Sequence, residues 1–93
     1  MDPRASKLHG SLLVVDGHCD SAMSAAGIDL SGETMPPVDM TIRNGKGHVD
    51  VPRLLEGGVT AQFFALFTET RLVSAARETT WRMLEAIEAA FGR

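Results

Sequence analysis

The sequence predicts an α/β fold, and three observations carry that prediction. Two apolar runs, Leu12–Val15 and Val59–Phe67, have the β-branched and aromatic content of strands. A helix-start pattern lies between them, and a long amphipathic segment follows the second run. Strand, loop with a short helix, strand and long helix, in that order, imply parallel strands joined by crossovers. Two strands close no sheet, and a parallel sheet needs both faces covered, so the 93 residues read as the front portion of a larger barrel or open-sheet protein.

Residues 1–9 are polar and loosely patterned. Leu12–Val15, a continuous apolar run, reads as a short strand buried on both faces, and it leads into Asp16-Gly17-His18-Cys19-Asp20. From Ser21 to Gly47 the composition turns to Gly, Ser, Pro and Asp, which predicts a long loop with one helical turn in Ser21–Ala26. Asp50 is suited to an N-cap, Pro52 to a first helical turn and Gly57-Gly58 to a left-handed stop, which together predict a helix over Val51–Glu56. Val59–Phe67 is the second buried strand, with Gln62 as its one costly residue. Ala76, Thr80, Met83, Leu84, Ile87 and Phe91 recur at helical spacing, with charged residues on the other faces, which predicts a helix from Ser74 to Phe91.

With 44% hydrophobic and 23% charged residues, the composition is globular and excludes disorder and collagen. A net charge of −3 without a basic cluster gives no sign of a nucleic-acid groove, and a small molecule is the expected partner. The opening Met-Asp-Pro-Arg lacks a secretory pattern and no run is long enough for a membrane segment. Cys19 is the single cysteine, so no internal disulfide forms, and a cytoplasmic location is the expectation.

His18 and Asp20 stand two apart at the C-terminal end of a strand, where side chains at i and i+2 share a face. Imidazole and carboxylate together suit a divalent, zinc-like ion. The structural alternative is that His18 caps the strand end and Asp20 begins a turn or helix. The same spacing recurs at His48 and Asp50, but there the capping position of Asp50 and the Gly-rich turn before His48 favour local hydrogen bonding. Asp16 either orients a metal-holding histidine or sits at a strand-end bulge. Alternation turns Cys19 away from His18 and Asp20, as a small buried thiol. Phe63, Phe64, Phe67, Trp81 and the five methionines read as core packing. Gly57-Gly58 lacks the spacing of a phosphate loop.

Two segments, Leu13-Val-Val-Asp-Gly-His-Cys-Asp20 and Gly47-His-Val-Asp-Val-Pro-Arg-Leu-Leu-Glu-Gly-Gly-Val-Thr-Ala-Gln-Phe-Phe-Ala-Leu-Phe67, in this order and separation, resemble the renal (membrane) dipeptidase family of zinc peptidases, family M19. The resemblance implies a TIM-type (β/α)8 barrel of the amidohydrolase-like class, binding two zinc ions and hydrolysing dipeptides, including those with a D-residue at the carboxyl end. On this reading residues 1–93 are the N-terminal part of a single barrel domain, about two β/α units, and a homo-oligomer is an open expectation. By position, His18 and Asp20 match the family's first-strand zinc ligands, whereas the His48–Gly58 segment matches a family signature that is not a ligand position. Cys19 departs from the asparagine common there. The bridging glutamate, later histidines and later aspartate have no counterparts, so the 93 residues are expected to bind metal weakly and to be inactive alone. The competing expectation is a non-catalytic module that pairs with another chain through its sheet edges.

Overall fold

A computed structural model describes residues 2–29, 31 and 33–92. The elements run α1 (Pro3–Gly10), β1 (Val15–Asp16), α2 (Ala22–Ala25), α3 (Val51–Glu56), β2 (Ala61–Gln62), a 3₁₀ helix (Thr70–Ala75) and α4 (Ala76–Phe91). The strands are parallel, with Val15 opposite Ala61 and Asp16 opposite Gln62. The chain is therefore α/β with parallel strands, as its element order predicts.

Helix α1 falls in the segment that the sequence marks only as polar and loosely patterned. Its start is local chemistry: Asp2 is the N-cap, its carboxylate accepts the Arg4 N–H at 2.8 Å, and Pro3 fills the first turn, where a missing N–H costs nothing. Helix α3 spans Val51–Glu56 as its caps predict, with Asp50 accepting from the Arg53 N–H and Gly58 at φ 76° just beyond its end. Helix α4 starts two residues later than predicted, because the 3₁₀ helix takes up Ser74 and Ala75. The long loop is irregular apart from the four-residue α2 and an isolated Ile28–Thr34 bridge. Gly27 makes that bridge feasible: at φ 74°, a Cβ there would lie 2.6 Å from the Met35 carbonyl oxygen.

Both strands are shorter and more exposed than expected. Regular pairing covers two residues on each, although backbone bonds continue it from Val14, which receives the Thr60 N–H at 2.7 Å, to Cys19, which receives the Ala65 N–H at 2.8 Å. Val15 is exposed, and so are Leu13, Phe63 and Phe67. The expectation of strands buried on both faces is corrected here: the described core lies beside the sheet, not over it. That core joins Ala22, Met23, Ala26 and Ile28 to Met83 of α4, with Leu66, Leu72, Ala86 and Ile87 packed at its margin. Arg82 reinforces the joint by donating to the Ala26 carbonyl at 3.0 Å.

The aromatic expectation is corrected with it. Phe64 packs against Phe91, ring centroids 5.1 Å apart, whereas Phe63, Phe67 and Trp81 stand exposed. Of the methionines, Met23, Met40 and Met83 are buried filler as expected.

Candidate metal centre

Strand β1 delivers the candidate residues. Past Asp16 the backbone stays extended enough for the Cys19 carbonyl to pair with Ala65, so residues 18 and 20 project from one side while Cys19 is buried on the other. His18 and Asp20 meet: Nε2 lies 3.1 Å from Oδ1, with 69% and 57% of the two side chains exposed. A Cβ on the neighbouring Gly17 would touch nothing within 4 Å, so the approach is open.

The donor chemistry fits a zinc-like ion. Two ligands of a tetrahedral zinc at about 2.0–2.1 Å stand about 3.3 Å apart, close to the separation seen here. Both readings of Asp20 meet in the structure: its carbonyl accepts the Met23 N–H at 3.2 Å, so it begins the turn that enters α2, while its carboxylate is directed to His18. Among the described residues no group of three or more His, Cys, Asp or Glu side chains is placed to hold a metal, so the pair offers two donors.

Asp16 takes neither of its expected roles. Its Oδ2 accepts from the Gln62 amide at 2.7 Å, across the strand register, which also accounts for the polar residue in β2. Gln62 is half-buried, and Asp16 gives its amide a partner at the strand end. This link between neighbouring strand ends was not readable before the register was known.

The second His-x-Asp behaves differently from the first. Asp50 has no exposed surface, and its carboxylate takes the Arg53 N–H at 2.8 Å, the Arg53 Nε at 2.6 Å and the Asn44 N–H at 3.1 Å. Burial pushes this carboxyl up, but the Arg53 and Asn44 backbone donors and the Arg53 guanidinium outweigh it and leave it below the usual carboxylate range. Asp50 is thus a structural anion. His48 is exposed and, with Lys46, Gly47 and Val49, lines an open cavity of about 710 Å³ that Asp20 and Met23 also line. Sequence reasoning missed this cavity, because it is lined by residues from separate segments of the chain.

The sequence matches the model of the membrane dipeptidase family, peptidase family M19, over residues 2–91. No curated protein and no solved structure matches the chain. The family match runs from the cap of α1 to the last turn of α4 and includes the His18–Asp20 pair, the Asp50 cap and both strands. The chain belongs to the membrane dipeptidase family, peptidase family M19.

Proposed function

We propose that the chain carries the first metal-binding strand of a zinc-dependent dipeptidase built on a TIM-type barrel, with His18 and Asp20 as two of the metal ligands. The observation that supports this most is the 3.1 Å approach of an imidazole nitrogen and a carboxylate oxygen at the C-terminal end of a parallel strand, in a chain of this family. That end of the strands forms the active-site face of barrels of this class. Zinc supplies Lewis acidity toward a peptide carbonyl and acidifies water, the chemistry that hydrolysis of a dipeptide needs. The chain's own contribution is to hold the two donors one face apart from the buried Cys19 and to keep their approach uncrowded at Gly17. Two donors are fewer than the three or four of a zinc centre, so the others belong to further strands and the chain alone binds zinc weakly.

Zinc titration of the full chain, followed through the histidine ring resonances and by atomic emission, tests this. His18 is expected to respond first, and His18→Ala to lose the bound zinc while His48→Ala keeps it. Zinc retained by His18→Ala, or lost from a folded His48→Ala, would overturn the assignment.

A second reading, a non-catalytic module that pairs with another chain, draws on the exposure of Leu13, Val15 and Phe63 beside open strand edges. It predicts indifference to zinc and strand-edge pairing that His18→Ala leaves intact.

A further inference from the structure

We propose that Asn44 modifies itself: the Gly45 nitrogen attacks the Asn44 side-chain carbonyl, ammonia leaves, and water opens the resulting succinimide to aspartate or isoaspartate, the second of which loosens the clasp around Asp50. The inference is independent of zinc and of the dipeptidase reading.

Asn44 is the one asparagine in the sequence, and glycine follows it. Cyclisation needs an unhindered, unpaired amide nitrogen, and Gly45 supplies one. Among the described residues its N–H makes no hydrogen bond, the residue is exposed, and a Cβ placed on it would meet nothing within 4 Å. The carbonyl under attack is already polarised. Asn44 Oδ1 accepts the N–H groups of Lys46 and Gly47, at 3.2 and 2.6 Å, and the same donors face the oxyanion that forms as nitrogen adds to Cγ. The departing nitrogen is loosely held, since Nδ2 reaches the Asp39 carbonyl only at 3.4 Å.

Gly45 gives its amide proton to water as the N–Cγ bond forms, and Nδ2 takes up a proton and departs as ammonia when its bond to Cγ breaks. Water then cleaves the ring. Attack at Cγ restores the peptide bond and leaves an aspartate side chain, whereas attack at the main-chain carbonyl leaves isoaspartate, with one more methylene in the main chain and a free carboxylate where the Asn44 carbonyl stood. That carbonyl lies 3.5 Å from Arg53 Nη2, so the new carboxylate competes with Asp50 for the guanidinium. The added methylene also shifts the Asn44 N–H, which donates to Asp50 at 3.1 Å, relative to Gly47, whose carbonyl accepts from Arg53 Nη2 at 2.9 Å. A carboxylate with no exposed surface thereby loses partners.

The full chain is incubated at mildly alkaline pH, folded and in urea, and followed by intact mass and ammonia release, its proteolytic peptides compared with synthetic aspartyl and isoaspartyl standards. The folded chain is expected to exchange NH2 for OH at position 44 about tenfold faster than the chain in urea, where the donors to Oδ1 are dispersed. Gly45→Ala, which the open space around Gly45 accommodates, should slow conversion about tenfold by crowding the attacking nitrogen. In the isoaspartyl chain, separated by chromatography, the Arg53 amide, which donates to Asp50, should exchange with solvent about tenfold faster than before conversion. Asn44→Asp, which keeps the main chain unchanged, should retain that protection. No mass gain at position 44, conversion as fast in urea as in the folded chain, or an unslowed Gly45→Ala would overturn the self-modification. An isoaspartyl chain with unchanged Arg53 protection, or an equal loss in Asn44→Asp, would overturn the main-chain route by which it loosens Asp50.

Discussion

The Asp50 carboxylate has no exposed surface, yet it stays ionised because two backbone N–H groups and a guanidinium converge on it. Its folded pKa lies below the unfolded value, about 3.9. Stability from this group is accordingly complete above that value and is lost as pH falls through the folded pKa. Asp39, whose carboxyl is held down by the Thr41 hydroxyl and N–H, works in the same direction from the surface. Thermal midpoints measured from pH 7 to pH 3 should therefore fall below about pH 4. Asp50→Asn should lower the neutral midpoint by about 5 °C or more and flatten, without abolishing, the acid fall. A variant keeping the full acid slope would show that Asp50 does not carry it. The cap was legible in Asp50-Val-Pro because capping is a rule of adjacent residues. The Asp16–Gln62 bond was not, since which residues of two strands face each other is decided by register, and register depends on all the packing around the strands.

Helix α1 shows what local signals can settle and what they leave open. Asp2-Pro3 marks its start, a signal present in the sequence but hidden by the polar composition around it. Its docking was never legible: α1 buries no residue, and His9 connects it to the rest by placing Nε2 2.6 Å from the Gly57 carbonyl oxygen. Gly58 accepts this contact because it lacks a Cβ, which would stand 2.6 Å from the same nitrogen. Gly58→Ala forces a side chain into a left-handed backbone and into His9, so it should cost about 1–2 kcal/mol. The imidazole is the mobile partner and swings away, which undocks α1. Urea denaturation of Gly58→Ala, His9→Ala and the double variant should show the alanine at 58 costing less once the ring is gone, by about 0.5 kcal/mol or more. Hydrogen exchange should show α1 amides losing protection in both single variants. Strictly additive energies with a protected α1 would mean that the helix is held by something other than His9.

At the scale of the whole molecule, the exposed strands and the elongated shape have one cause. A compact chain of this length has a radius of gyration of about 12 Å, against 15.0 Å here, and the long axis reaches 50 Å. The described core gathers on one side, around Met23 and Met83, while Leu13, Val15 and Phe63 remain 83%, 57% and 64% exposed along a two-stranded sheet with open edges. Apolar patterning told that these runs were strands, but no pattern within a run tells which surface covers it, and that is why the burial of both strands was misread. An apolar parallel sheet left open in this way pairs with whatever strand it meets. The 93-residue chain should therefore self-associate, its sedimentation coefficient rising with concentration and its thermal transition broad. Val15→Lys with Phe63→Lys should shift the distribution toward monomer while leaving the α2–α4 core signals in place, because both side chains already face solvent. A monomer at every concentration, melting in one sharp cooperative transition, would show that the sheet is stable uncovered, and a double variant that associates as strongly as the original would place the contact away from the strands.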